Sequence, residues 1–498
     1  MSTLPLSPAA IALNRFGLGV RPGDALPDDP KHWLHAQFDR FDEKPAVFAA
    51  LADAGALLQN YQDQQRAARQ MVPVTLPHPP AAPTLSAIPR PAGLQPPTAS
   101  GAAPSPNAMR AAIRQDFGQD AQALYRAAIQ ARMQSALQTD APFVERMVHF
   151  WSNHFCVSAD NTQTTAFVGA FERDAIRPHV LGRFEDMLIA VEQHPAMLIY
   201  LNQINSAGPN SPFALGVARR NPAKRPGLNE NLGREIMELH TLGVRSGYSQ
   251  TDVTEFSRAL TGWSVGGALA GGRRDATSPD TFFFRAPLHE PGTRTIVGKT
   301  YDQPDDGQAR AALVDFAAAP ATATHVATKL ARHFAGDAPP PALVARLAAS
   351  YTRHRGSLPE LYRTLIASPE PWVRTPQKFK TPWEWTVSAL RGLGRTDLGQ
   401  MQVAGMLGQL GQPVWKPGSP AGYDDIAASW AAPDALLRRV ELAQRLVAPI
   451  GDRLDARDLG PRLIPASFSP ATADQVGKAE SPGAALALLL VSPDFLRR

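Results

Sequence analysis

The fifteen residues Asn229–Gly243, NENLGREIMELHTLG, set three glutamates, two asparagines, an arginine and a histidine among leucines and an isoleucine. At 100° per residue, Leu232, Ile236, Leu239 and Gly243 fall on one stripe, so the stretch predicts an amphipathic helix over 229–242. Asn231, Glu235 and Glu238 follow one border of that stripe and His240 the other. Arg234 and Thr241 face away. Much of this has a structural account. Pro226-Gly227 breaks the chain, Asn229 or Asn231 can cap, and early glutamates suit the positive helix N-terminus. Arg234 and Glu238 are four apart and can pair, and Gly243 ends the helix. What that account leaves over is a carboxylate beside the core stripe, where Leu or Ala packs better and a buried charge needs a partner or a metal.

Working outward, the chain reads as mainly α, a large multi-helix, bundle-like body. Apolar positions returning at three- and four-residue steps predict a long helix over 109–139. Others are expected at 142–155, 163–176, 183–193, 251–263, 322–335, 340–353, 358–367, 382–393 and 433–447. The best strand signal is Thr281–Asp302, TFFFRAPLHEPGTRTIVGKTYD, two β-rich runs read as one hairpin around His289-Glu290-Pro291-Gly292. Eleven prolines between Met71 and Pro106 mark 71–107 as an extended linker or long loop. The organisation expected is an N-terminal helical segment over 1–70 packed on the body, that linker, a main helical domain over 108–450 carrying the hairpin near 281–301, and a C-terminal segment over 451–498 ending in a helix.

Composition narrows the function. A net charge of +5 over 498 residues is a mild excess, with no run of five basic residues, which argues against nucleic-acid binding. Cys156 is the only cysteine, which excludes an internal disulfide and a cysteine-cluster zinc site. Beside Phe155 and Val157 it reads as a small core side chain. The start, MSTLPLSPAAIALNRFGLG, does not read as a signal peptide, and no stretch reaches the roughly 18 apolar residues of a membrane span. The expectation is a cytoplasmic chain.

Chemistry needs His and Glu to meet. In Ala141–Phe155, APFVERMVHFWSNHF, the residues Phe143, Val144, Met147, Phe150, Trp151 and Phe155 share a face, and His154 falls in its middle. Glu145 and His149, four apart on the other side, read as a surface pair. A core-facing imidazole needs partners for both nitrogens. His154 is therefore bonded to backbone, or it meets Glu235 or Glu238 from the other helix. Inward Glu and His on facing helices can build a metal centre suited to iron, manganese or zinc. His289 is a third ligand, a general acid–base or an exposed turn residue. Gly262–Gly266, GWSVG, fits a nucleophile pattern but follows a helix and precedes a glycine-rich loop, so Ser264 is set aside.

FWSNHF, IRPHVLGRFEDMLIAVEQHPAMLIYLN, NENLGREIMELHTLGV followed by GYSQTDVTEFSRALTGW, LHEPGTRTIVGKTY and FKTPWEWTVSALRGLG together resemble the bacterial domain-of-unknown-function family numbered 1800. The resemblance runs from LNRFGLG to SPDFLRR, the Pro-rich stretch excepted. It implies a mostly helical fold, no established reaction, and a neighbouring gene for an alkaline-phosphatase-like protein that tends to carry an export signal. Asn153-His154, Asn229-Glu230-Asn231, Arg234-Glu235, Glu238, Thr241, Arg258, Thr261-Gly262-Trp263 and His289 fall on its characteristic positions. His240 stands where phenylalanine is frequent and is set aside as a ligand.

The expectation that results is a metal-dependent enzyme, hydrolytic or oxidative. Glu235, Glu238, His289 and Arg234 would be catalytic, and Asn229, Asn231, Arg258 and Trp263 would hold substrate. His154, Glu235, Glu238 and Glu230 would bind iron, manganese or zinc. The alternative is a non-catalytic helical escort for the alkaline-phosphatase-like partner, exported with it.

Overall fold

Prolines and side-chain caps set where the helices begin. Pro142, Pro320 and Pro382 each open a helix in its first turn, where a missing N–H breaks no bond. Asn161, Ser249 and Thr381 accept hydrogen bonds from backbone amides of the turns they start, the last two in reciprocal capping boxes. The computed structural model describes residues 5–70, 106–223, 226–266, 281–376 and 378–498. It is 61% helical, so the mainly α reading holds.

The helices that build the site are α1 (Pro106–Gln138), α2 (Pro142–His154), α3 (Thr162–Phe171), α4 (Phe184–Gln193), α5 (Asn231–Glu235), α6 (Gln250–Leu260), α7 (Pro320–Ala335) and α8 (Pro382–Gly392). Most expected spans agree within a residue or two. Two differ because they change winding. The span expected over 163–176 turns from α3 into a π segment, Glu172–Ile176, and the opening stretch turns from α5 into another, Ile236–His240. A π segment bonds five residues back, as Thr241 N does to Ile236 O at 2.9 Å, and winds more slowly than 100° per residue. The Pro-rich stretch over 71–107 lies almost wholly outside the described residues, as does the glycine-rich 267–280.

The expected hairpin is corrected. Phe282–Phe284 (β2) pairs backwards with Trp263–Val265 (β1), and Arg294–Ile296 (β3) pairs with Lys299–Tyr301 (β4). Both sheets are antiparallel and two-stranded. The tight turn is therefore Val297-Gly298, both at positive φ (49° and 72°), while His289–Gly292 merely joins the two sheets.

One hydrophobic cluster runs through the described chain, from Leu6 to Leu496. At its centre α2 is buried on nearly every side, with Phe143, Val144, Met147, Val148 and Trp151 wholly enclosed. This overturns the surface reading of Glu145 and His149. Glu145 is 1% exposed and holds Arg177 through two bonds of 2.6 and 2.8 Å, with Ser135 Oγ donating at 3.0 Å. A helix surrounded by others has no free face, and its charges must pair inside. Both chain ends dock nearby. Arg15 donates to the carbonyls of Pro371, Val373 and Thr375, and Arg498 reaches Glu384 at 2.8 Å.

Candidate functional site

The opening stretch caps itself. Asn229 Oδ1 accepts from Asn231 N at 3.0 Å, and Asn229 Nδ2 donates to the carbonyls of Leu201 and Asn202. Arg234 pairs backwards with Glu230 at 3.1 Å rather than forwards with Glu238. Glu230 also accepts from Gln250 and Thr254, so its carboxylate is committed. Glu235 and Glu238 are half-buried. Burial, then the Glu238 charge, hold the Glu235 carboxyl above its ordinary range.

Beyond Glu235 the π winding puts the wheel out of phase. His240 is fully buried and its Nδ1 lies 2.7 Å from Glu192 Oε1, itself fully buried on α4. The residue set aside on the family pattern thus makes the inward carboxylate–imidazole contact. His154 is bonded to backbone: its Nε2 donates to His240 O at 3.0 Å. Its ring sits among Trp151, Phe155 and Phe184, and burial, then Lys329, drive it far towards the neutral form. Its Nδ1 is buried with no partner among the described residues.

The remaining candidates are dispersed. Arg258 pairs with Glu255, which Arg294 also contacts at 3.3 Å. Trp263 is buried in β1 against Phe282. His289 is half-buried, not an exposed turn residue; its Nδ1 donates to Thr261 O at 2.8 Å. Among the described residues, no group of three or more His, Cys, Asp or Glu side chains is placed to hold a metal ion. His154, Glu230, Glu235 and Glu238 are therefore not gathered into one ligand cage.

A second polar region borders α2. A cleft of about 230 Å³ runs between α2, α7, the start of α8 and the loop 412–425. His149, Phe150, Asn153 and His154 of α2 line it, as do Lys329, Arg332 and His333 of α7. Arg132 of α1 closes another side. Its guanidinium lies 4.2 Å from the Trp383 ring centroid and 5.1 Å from that of Trp415, and its Nε bonds both Glu172 oxygens at 2.8 and 2.9 Å. Arg132 is only 7% exposed, yet its two terminal nitrogens have no partner among the described residues.

Deep in the cleft, Arg146 bonds the carbonyls of Phe16 and Gly17 and pairs with Glu384. Glu384 is placed by its capping role, with Oε2 accepting from Thr381 N at 3.0 Å. Burial works against its charge, but Arg498 and Arg146 hold the carboxyl well below the usual range. His333 Nδ1 donates to Asp425 Oδ2 at 2.7 Å, leaving Nε2 3.5 Å from Arg146 Nη1. Lys378 braces the same aspartate at 3.0 Å. Burial lowers the His333 pKa, which favours the neutral ring; with Nδ1 donating to Asp425, Nε2 is left as an acceptor within reach of Arg146 Nη1.

Asn153 fixes the loop. Its Oδ1 accepts from Tyr423 N at 2.7 Å and its Nδ2 donates to Tyr423 O at 2.9 Å. Gly422 makes room: at φ +79° its Cα faces Asn153 so closely that a Cβ would overlap the Asn153 carbonyl oxygen. Two residues on, the loop delivers Asp425 to His333.

Most charged groups lining the cleft are matched, Arg132 with Glu172, Asp425 with Lys378, and Arg146 with a Glu384 that it shares with Arg498. Lys329 and Arg332 are not. Neither bonds a carboxylate among the described residues, and Lys329 makes no hydrogen bond at all there. Burial lowers the Lys329 pKa to about 8. The lone Cys156 thiol also lines this end, pushed up to about 12 by burial, which makes it inert. The sequence reading passed over Lys329, Arg332 and His333 although a signal was present. In His325–Phe334, HVATKLARHF, basic residues recur at four-residue steps beside the apolar stripe of Val326, Leu330 and Phe334.

No curated protein and no solved structure matches the chain. A family model does, over residues 11–497, and by that match the chain belongs to the family described as protein of unknown function DUF1800.

Proposed function

We propose that the cleft binds a small anionic organic molecule and that His333, oriented by Asp425, exchanges a proton with it. The observation that carries this reading is the pair of cations, Lys329 and Arg332, that line the cleft without a carboxylate partner among the described residues. An unpaired, partly desolvated ammonium is costly, and an anion arriving beside it removes that cost. The flanking rings of Phe150, Trp383, Trp415 and Tyr423 offer apolar surface for the rest of the ligand.

Within this reading His333 is the base. Its Nδ1–H is held by Asp425, so Nε2 takes the proton and the Asp425 carboxylate stabilises the resulting imidazolium. Arg146 pairs with Glu384, and its Nη1 stands 3.5 Å from this same Nε2. The test is calorimetric titration of the full chain with inorganic phosphate, acetate and an aromatic carboxylate, alongside Lys329→Met and His333→Gln. Binding that weakens at least tenfold in the Lys329 variant supports the reading. Absence of binding by every anion, or binding indifferent to Lys329, overturns it. Loss of turnover with retained binding in the His333 variant would assign the proton step.

A further inference from the structure

The cations of the cleft stand at two separate places. Arg132 belongs to one end: it is sandwiched by Trp383 and Trp415, and it is the charge acting on His149 and Glu172. Lys329 belongs to the other, where it is the charge acting on His154 and His325. His149 and His154 both line the cleft from α2, five residues apart. Five helical steps are roughly 7–8 Å of rise. The cleft therefore offers a positive group at each of two levels along α2. His333 stands at the Arg146–Phe150 level of α2, with its ring 5.4 Å from that of Phe150 and its Nε2 3.5 Å from Arg146 Nη1; Lys329 is one turn earlier on α7, towards His325, whose ring lies 5.9 Å from that of His154.

From this placement we infer that the ligand is elongated and carries two anionic groups, one taken by the terminal nitrogens of Arg132 and the other by Lys329 with Arg332. The inference rests on the anion-binding reading above and adds the number and spacing of the charges. The two ends differ in chemistry. Arg132 is rigid, because its Nε is tied to Glu172 and its faces are covered by indoles; what it presents is a planar fork suited to a carboxylate or one edge of a phosphate. Lys329 is a point charge without a fixed direction and tolerates either group. Once one end is held, binding of the other is intramolecular, so a ligand of matching length gains affinity without a new contact.

A length series decides it. The full chain is titrated calorimetrically with acetate, inorganic phosphate and linear dicarboxylates from malonate to suberate. The expected result is one preferred length that binds at least tenfold more tightly than acetate or phosphate. Arg132→Lys, which keeps the charge beside Glu172 but loses the fork, and Lys329→Met should each abolish that preference, with thermal midpoints confirming folded protein. If the Arg132 variant does not fold, the series on the unaltered chain with Lys329→Met still decides. Acetate or phosphate binding as tightly as every dicarboxylate overturns the two-anion inference and leaves the anion-binding reading standing. A length preference that survives in either variant overturns the assignment of the ends. Absence of binding by any of these anions overturns both.

Discussion

Asn153 grips Tyr423 by both sides of its side-chain amide, accepting from N at 2.7 Å and donating to O at 2.9 Å. A side chain on α2 thereby fixes the backbone that carries Asp425 to His333, although 270 residues separate the partners. Asn153→Ala should free this loop and weaken anion binding about tenfold, while lowering stability by only about 1–3 kcal/mol, the scale of two hydrogen bonds. Asn153→Asp keeps the acceptor but turns a second oxygen on the Tyr423 carbonyl, so it should perform no better than alanine. Calorimetry and thermal unfolding on both variants check this; unchanged affinity in both would detach the loop from the site.

Glu145 and Arg177 test the corrected placement of α2. For a surface pair, Glu145→Gln would cost under about 1 kcal/mol. Inside the core it strands the Arg177 guanidinium, so the expected cost is about 3–5 kcal/mol by denaturant unfolding. The same buried pairs fix the acid limit. In Glu145, Glu384 and Asp425 burial raises the pKa, but Arg177, Arg498 and His333 respectively outweigh it and hold each carboxyl well below its ordinary range. Folded values below unfolded ones give stability that is full above the unfolded pKa near 4 and lost as pH falls beneath it. Unfolding should therefore steepen below about pH 4, and less so in Glu145→Gln.

The helices were legible because each carries its own period, caps and prolines, and these are local. A hairpin does lie within 281–301, but its pairing differs because two β-rich runs in sequence do not say which earlier strand they pair with; β2 found Trp263–Val265, whose run is three residues long. His240 was lost to a change of winding that leaves no mark in a wheel at 100° per residue. The cleft was hidden for a different reason. Arg132, His333, Glu384 and Asp425 come from four separate stretches of the chain, and a carboxylate such as Glu384 reads locally as half of a capping box, which it is. Of the positions marked as candidates, Asn153 and His154 line the cleft; His149 and Cys156 line it too, but their sequence context reads as a surface pair and a core side chain.

Glu235 separates the two candidate regions. Its carboxyl is raised first by burial and then by Glu238, and it makes no hydrogen bond or ion pair among the described residues. Glu235→Gln removes a disfavoured charge and should leave stability unchanged or slightly higher, by under about 1 kcal/mol, with anion binding unaffected. A loss of bound metal or of activity on this substitution would instead return the site to the Asn229–Gly243 helix.

Lys329 makes binding and stability respond to pH in opposite directions. Facing it are Arg332 and His325 of α7, His154 and Cys156 from α2 and its end, and Asp425 from the loop. Burial lowers its pKa from 10.5 to about 8. The folded, ligand-free chain therefore sheds this proton near pH 8, while the unfolded chain keeps it to about pH 10.4. Between those values the unfolded state binds more protons, so the Lys329 contribution to stability rises with pH; below 8 both states are protonated and the burial cost is present in full. Anion affinity runs the other way, because the ammonium is the partner: it should be level below about pH 8 and fall by up to tenfold per unit above it. Lys380, lowered by burial to about 7, adds a stability change of the same sign at lower pH, so the diagnostic quantity is the difference between the unaltered chain and Lys329→Met. Calorimetry with phosphate and thermal unfolding from pH 7 to 10 measure both curves. An affinity that stays level across that range, or falls equally in Lys329→Met, would remove Lys329 from the anion site.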